Sequence, residues 1–298
     1  MHLDYVDDDY QRLADQAQDI IRQDADLQPY YFEHGFTFIV DGKEGELNTL
    51  WQQMLENVKS KQPRSNWEQL NTQEEVFQNL HGKSASLVPE ETLGHERRWQ
   101  KGYTSKRCAT VDAHAIVKVY YDRARSKPNV EFVLGTPVDR LQFGPDQHVK
   151  GVQLEDGRTF EAKKTILATG AWSSRLVKLD GVLSANAVGM AYIRLTDDEY
   201  EKYKDMGCHT NLVTGVNFFT PINGLLKILR RSTGIRNTTT LKDPEDETKT
   251  YRASYPRTAV DDPSQAVSMS FEQSLRQEMR EFFPQLADRP FEGTRYCW

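Results

Sequence analysis

Apolar positions change their period several times along this chain. Near the start, Tyr10, Leu13, Ala14, Ala17, Ile20 and Ile21 recur at helical spacing. They follow the run Asp7-Asp8-Asp9, and a helix N-terminus favours such negative charge. Residues 31–40 read as a strand with Gly35 at a bulge. Leu47, Leu50, Trp51, Met54, Leu55 and Val58 form a second helical stripe. Residues 60–75 are polar, with one short periodic patch. Asp112 stands where it would N-cap a helix over 113–124. After Pro128-Asn129 the period drops to two. Strands are predicted at 130–134, 138–143, 149–154 and 158–162, with a turn at Asp156-Gly157. A short apolar run, 165–168, then closes on Ala168-Thr169-Gly170. Further on, 176–179 reads as a short helix, 183–195 as a weakly alternating strand and 197–203 as a helix. Residues 213–219 and 225–229 read as paired strands joined at Pro221-Ile222-Asn223-Gly224. Residues 236–268 are long, polar and without period, the pattern of a lid, a binding segment or disorder. Phe271, Leu275, Met279 and Phe282 mark a last helix that Pro284 ends.

Helix, strand, three-stranded meander and a buried strand ending in Ala-Thr-Gly is the order of the second half of a flavin dinucleotide-binding domain. Gly170 carries no Cβ, so backbone at that turn can approach a cofactor closely. The expected fold class is α/β (α+β): an incomplete FAD-binding Rossmann-like domain plus a substrate domain with a mixed, largely antiparallel sheet. Segments 130–134 and 165–168 are expected in one parallel sheet, with the 113–124 helix packed on it. The second layer is expected from 182–194, 213–219 and 225–229. The first half of such a domain begins with G-x-G-x-x-G, and this sequence contains none. The expectation is therefore an oxidoreductase without its front end.

Size and charge narrow the classes. A chain of 298 residues has room for two domains. Its hydrophobic share of 38% is low, through a very polar surface or through core strands of the fold that lie outside the chain. A net charge of -6 gives no electrostatic support to nucleic-acid binding. Cys108, Cys208 and Cys297 are far apart with no C-x-x-C, against a zinc site or disulfide framework and in keeping with a reducing compartment. The first residues lack the basic and apolar regions of a signal peptide, and no apolar run approaches membrane-spanning length. None of the seven histidines has metal-ligand spacing, so no metal is expected.

Several segments in order carry a resemblance. They are 4–10 with Leu13-Ala14, 30–35, Gly102-Tyr103, Val111-Asp112-Ala113, Gly135-Thr136-Pro137-Val138 and 168–176. The series continues with 215–221, Leu226-Lys227-Ile228, Pro256-Arg257-Thr258 and Thr294-Arg295-Tyr296-Cys297-Trp298. Together they resemble the D-amino-acid-oxidase-like FAD-dependent oxidoreductases, in the branch of the fungal fructosyl amino acid, saccharopine and pipecolate oxidases, relatives of sarcosine oxidase. The likeness runs over essentially the whole chain. It implies FAD as cofactor, and an activity that oxidises the C–N bond of a secondary amine or an N-substituted or cyclic amino acid to an imine, with dioxygen as acceptor and hydrogen peroxide as product. It implies a cytoplasmic or peroxisomal setting and no nucleic-acid or membrane partner. It also implies a domain plan in which 1–34, 101–181 and 270–298 belong to the FAD domain and 35–100 and 182–269 to the substrate domain. The family has Gly-rich flavin-binding segments before the position of Met1 and after that of Trp298. The rival expectation is thus a chain truncated at both ends and catalytically silent.

The resemblance also names residues, each with a plainer reading beside it. Cys297 matches the cysteine that tethers FAD through a thioether, or is an inert thiol. Val138 presents backbone to the adenine, or is an ordinary strand residue. Ala168, Thr169 and Gly170 end a strand where open α/β sheets bind ligands. Trp172 packs near the flavin, or in the core. Lys227, the lone charge in Leu225-Leu226-Lys227-Ile228-Leu229, matches the lysine that activates dioxygen, or snorkels from an edge strand. Sarcosine oxidases have a histidine four residues later, where this chain has Arg231. Thr220 stands where fructosyl amino acid oxidases place a Glu. A neutral hydroxyl cannot pair with a cationic amine, so the residue leans toward saccharopine- or pipecolate-like substrates, or is only a turn residue.

Overall fold

Alternation along the Phe36–Val40 strand sets the two faces of the main sheet. Phe36, Phe38 and Val40 enter one core with Trp51, Met54, Leu55 and Val58 of the Glu46–Lys61 helix. Trp51 Nε1 donates to the Phe38 carbonyl at 2.9 Å and ties that helix to the strand. Ile39 enters a larger core on the other face. There Val216, Phe218, Leu226 and Ile228 meet Val76, Phe77 and Leu80 of the Gln73–His81 helix and Leu275, Met279 and Phe282 of the Met269–Phe282 helix. The computed structural model describes residues 4–179, 181–244, 246, 248–258 and 267–298.

The chain divides into two units. The first, Met1–Arg123, Gly189–Arg231 and Ala266–Arg295, holds this sheet. Its eight strands run in the order Gly293–Cys297, Ala187–Arg194, Leu225–Ile235, Val216–Phe218, Cys208–Asn211, Phe36–Val40, Lys101–Ser105 and Trp67–Leu70. Cys208–Asn211 lies parallel to Phe36–Val40, while Lys101–Ser105 lies antiparallel to both Phe36–Val40 and Trp67–Leu70. Val216–Phe218 is antiparallel to its partners on both sides. The sheet is therefore mixed and largely antiparallel, as expected, and the strands expected in the second layer all belong to it. Gly35, at φ +86, separates the short strand Tyr31–Phe32 from Phe36–Val40.

Three parts of this unit depart from expectation. The polar stretch 60–75 contains the strand Trp67–Leu70 and the start of the Gln73–His81 helix. Lys101–Ser105 and Cys208–Asn211 are strands that periodicity did not predict. The helix Ala113–Arg125 begins at the expected Asp112, whose Oδ1 accepts from the Ala115 amide at 3.1 Å. Its inner face does not pack on a parallel sheet; Ile116 and Val119 pack against Ile21, Leu27, Tyr31 and Ala109.

The second unit is Ala124–Val188, Ser232–Gln265 and Tyr296–Trp298. The meander forms as predicted, from Val138–Phe143, Val149–Leu154 and Thr159–Glu161. The expected parallel pair does not form. Residues 130–134 and 165–168 carry no strand. Val130, Phe132, Val133, Leu134, Ile166 and Leu167 are exposed, Ile166 at 89%. A parallel strand is stable when covered on both faces and paired at its edges, and the described residues of this unit supply neither. The predicted 176–179 helix is replaced by a 3-10 turn over Gly170–Arg175. Within the predicted loop 236–268 lies a hairpin, Thr238–Lys242 with Thr250–Ser254, whose register runs from Thr238 opposite Ser254 to Lys242 opposite Thr250. Residues 245, 247 and 259–266 of that stretch lie outside the described residues.

Candidate functional site

Lys227 sits on the strand Leu225–Ile235 between Leu226 and Ile228, which both face the large core. The two-residue period therefore turns Lys227 to the opposite face. The amide of Phe219 donates to the Lys227 carbonyl at 3.0 Å, which sets the two residues across from each other. Lys227 Nζ stands 4.6 Å from the centre of the Phe219 ring, within cation–π range. Both line a cavity of about 570 Å³ in the first unit. Phe36, Cys208, Thr220 and Ile222 form further parts of its wall, and Asp112, His114, Tyr192 and Arg295 bring polar and charged groups to it.

Thr220 is buried, at 3% exposure. Its hydroxyl donates to the Met206 carbonyl at 2.7 Å and lies 3.3 Å from Thr110 Oγ1. Thr110 Oγ1 in turn lies 3.1 Å from Cys208 Sγ. Burial pushes the Cys208 thiol above its ordinary range, so it is a neutral wall group. Asp112 is engaged in capping its helix. Arg295 is exposed; its guanidinium lies 5.3 Å from the centre of the Tyr192 ring, and its Nε donates to Met190 Sδ at 3.3 Å. It has no carboxylate partner among the described residues. The cavity thus joins an apolar and aromatic wall to two cations, Lys227 and Arg295.

Of the residues that the sequence singled out, Lys227 and Thr220 meet in this cavity. Arg295, Tyr192 and His114 were not singled out. Arg295 lies in a quoted motif, but no period in Gly293–Cys297 marks it, because its place in the cavity is set by strand pairing.

The six residues read as cofactor contacts all belong to the second unit. Thr169, Gly170 and Trp172 share the 3-10 turn: Thr169 Oγ1 is 2.9 Å from Ser173 Oγ, and the Trp172 amide donates to the Thr169 carbonyl at 3.0 Å. Ala168 and Gly170 are exposed, and Trp172 is 42% exposed. Gly170 has φ +52, and a Cβ built there would meet nothing within 4 Å. Val138 is half-buried at the start of its strand, opposite Leu154. The Cys297 thiol is free and exposed. His209 and His81 are core groups, not ligands: burial lowers both to about 4, and among the described residues there is no cluster of metal-ligating side chains.

Comparison with known proteins agrees with this reading of the fold. Residues 2–298 match the family model described as FAD dependent oxidoreductase. An L-saccharopine oxidase of Schizosaccharomyces pombe is 26% identical over 313 residues, covering 99% of this chain and 67% of its own length. An amino acid oxidase of Aspergillus fumigatus is 33% identical over 105 residues, 35% of this chain and 21% of its own. Among solved structures, a thermally stable mutant of fructosyl peptide oxidase superposes with a TM-score of 0.82 at 21% identity, over 100% of this chain and 67% of that one. The fructosamine oxidase of Aspergillus fumigatus, Amadoriase II, gives a TM-score of 0.77 at 25% identity, over 97% of this chain and 61% of that one. The chain thus spans about two thirds of the length of these longer relatives.

Proposed function

Because this chain belongs to the FAD-dependent oxidoreductase family, we propose that it oxidises the C–N bond of an amino-acid-derived secondary or cyclic amine to an imine, with dioxygen as acceptor and hydrogen peroxide as product. The observation that carries this reading is the cavity of the first unit. Such a substrate has at least one carboxylate beside an apolar carbon chain. The cavity offers the matching set: a guanidinium without a carboxylate partner among the described residues, a lysine, and aromatic walls. A planar guanidinium binds a carboxylate through two parallel hydrogen bonds. Arg295 is assigned that contact, and Lys227 is assigned the fixed positive charge that favours reduction of dioxygen.

Thr220 bears on the choice between substrate branches. Its hydroxyl is neutral and donates to the Met206 carbonyl, so the residue brings no negative charge to a sugar-bearing ammonium. That supports a saccharopine- or pipecolate-like amine over a fructosyl amino acid.

In this reading the second unit contributes the contacts to the flavin ring and the adenine. At the turn of Ala168, Thr169 and Gly170, Gly170 carries no side chain and has open space around it, which supports a close approach of the cofactor there. Trp172 offers an aromatic face, Val138 backbone at a strand start, and Cys297 an exposed thiol. These are the residues assigned to hold FAD, which when bound supplies the hydride acceptor. Binding of the pyrophosphate by a Gly-rich helix N-terminus has no matching motif in the sequence. The exposed apolar segments 130–134 and 165–168 favour a second reading, a family member that folds without catalysing. Visible flavin absorbance of the purified chain after gel filtration separates the two, followed by peroxide release on adding saccharopine or pipecolate. A colourless chain that gives no peroxide with added FAD sinks the oxidase reading.

A further inference from the structure

Residues 82–99 of the first unit link the Gln73–His81 helix to the Lys101–Ser105 strand, with one turn of helix at Glu90–Leu93. Ala85 and Leu87 of this strap pack against the large core, and the Trp99 ring stacks on Phe282 at 4.7 Å. Its polar hold on the Met269–Phe282 helix centres on Glu281, which is 1% exposed. Trp99 Nε1 donates to Glu281 Oε2 at 2.6 Å, and His95 Nε2 lies 2.7 Å from Glu281 Oε1. His95 Nδ1 lies 3.0 Å from the Leu93 carbonyl oxygen. Both ring nitrogens thus face oxygens. A carbonyl and a carboxylate only accept, and a neutral imidazole has one donor. The arrangement is satisfied when the pair carries one further proton: imidazolium against carboxylate, or imidazole against a protonated carboxyl. Without that proton, a nitrogen lone pair faces an oxygen lone pair at one contact, and the other contact loses its charge assistance.

We propose that the strap is a pH-sensitive latch: the proton shared by His95 and Glu281 holds it on the helix, and it opens as rising pH removes that proton. Closure is favoured where the proton is present and weakens as pH rises. Other charges surround the pair. Arg97, with a side chain 2% exposed, lies 3.7 Å from Glu90 and feels the charge of Glu281. Arg98 acts on Glu278, which lies one turn before Glu281 at 5% exposure. Glu96 is exposed. The arginines keep their charge throughout. Burial, then the charge of Glu281, pushes the Glu278 carboxyl up to about 7, so it ionises in the same range; Glu278→Gln silences it. The latch lies within the first unit and does not rest on the oxidase reading.

Initial cleavage of the full chain by an arginine-specific endoprotease tests it. The buried Arg97 is reached only when the strap opens, and slow cleavage reports the open population. Rates are normalised at each pH to a free peptide of the same sequence. Half-buried Arg230, on the strand Leu225–Ile235, reports unfolding of the sheet. From pH 6 to pH 9, cleavage after Arg97 should rise about tenfold in the parent and in Glu278→Gln, the weight of one lost charge-assisted bond. In Glu278→Gln, cleavage after Arg230 should stay within about twofold. His95→Gln keeps one donor at every pH, and His95→Lys keeps its charge up to pH 9. Each should hold the rise within about twofold, with thermal melting to show that the variant is folded. A parent whose cleavage stays level overturns the proposal. So does a rise kept in a folded His95→Gln or His95→Lys chain. So does a rise that Glu278→Gln abolishes, or one matched there by Arg230.

Discussion

Glu278→Gln should remove a pH-dependent loss of stability. Glu278 lies on the Met269–Phe282 helix at 5% exposure. Burial, then the charge of Glu281 three residues on, pushes its carboxyl up to about 7. Hydrogen bonds from Thr214 and Asn211 and the charge of Arg98 oppose that rise without cancelling it. The ordinary value is 4.5. A folded pKa above the unfolded one means that the folded chain holds the proton longer. The stability this group contributes is complete below about pH 4.5 and is lost as pH rises through about 7. At 1.36 kcal/mol per pH unit, the gap amounts to about 3 kcal/mol by pH 8.

Glutamine has nearly the same shape and keeps a carbonyl oxygen for the Asn211 donor, so below pH 4.5 the variant and the parent should unfold alike, within about 0.5 kcal/mol. At pH 8 the variant should be more stable by about 3 kcal/mol. Other groups titrate in the same window. Asp4, raised to about 6, has the same sign as Glu278. His81 and His209, lowered to about 4, have the opposite sign: their contribution is present above about 6.5 and lost as pH falls through 4. The difference between parent and variant at each pH cancels these shared terms. Urea unfolding followed by tryptophan fluorescence reads it, and Trp99 is a local reporter, since its Nε1 donates to Glu281 Oε2 at 2.6 Å. A difference that is the same at pH 4 and pH 8 would refute the reasoning, because only an ionisation that differs between the two states produces a slope.

Two further substitutions probe the sheet and the candidate site. Gly215→Ala should destabilise the chain by about 2–4 kcal/mol: Gly215 has φ +75 and its Cβ would stand 2.1 Å from the Arg231 carbonyl oxygen, a backbone atom that cannot swing away; an unchanged urea midpoint would sink this. In flavin-loaded protein, Lys227→Met should slow the oxygen half-reaction far more than the substrate half-reaction, read by anaerobic mixing followed by mixing with oxygen; equal slowing of both would show that the lysine only supports the strand.

What could be read from the sequence follows from where each signal arises. The Glu46–Lys61 and Met269–Phe282 helices each carry an apolar stripe that buries against one sheet face, so their periodicity survives into the structure. Trp67–Leu70 and Lys101–Ser105 were missed because Trp67-Glu68-Gln69-Leu70 and Lys101-Gly102-Tyr103-Thr104-Ser105 have too little contrast; what makes them strands is mutual pairing. Thr238–Lys242 hides in a polar stretch for the same reason, although it alternates in exposure residue by residue. The reverse error came at 130–134 and 165–168. An apolar run signals burial only if enough neighbours arrive to cover it, and in the described residues these segments stay exposed. Lys227 was legible because a single charge inside an apolar strand breaks the pattern. Arg295 and Tyr192 break no pattern; strand order alone assembles them.

The unequal cover of the sheet explains why the cavity of Lys227 and a smaller one of about 210 Å³, lined by Asp4, Phe36 and Phe38, lie where they do. The face of Ile39, Leu226 and Ile228 is closed by two helices, and its core takes in Trp99, Phe218, Phe282 and Phe283, all nearly inaccessible to solvent. The opposite face carries the Glu46–Lys61 helix over Phe36, Phe38 and Val40. Beyond that helix, the same face continues along the strands that bear Lys227 and Arg295 with less apolar cover, and polar groups can line space there without entering a dry core. Phe36 belongs to the lining of both cavities. It owes that place to the parallel pairing that sets it opposite Cys208 and to the antiparallel pairing that sets it opposite Ser105, whose hydroxyl holds Asp4. One strand residue thus joins the wall that carries the cations of the larger cavity to the buried acid of the smaller one. The cations of the larger cavity thus lie on the less covered face, and the closed face supplies the rigidity against which they are held.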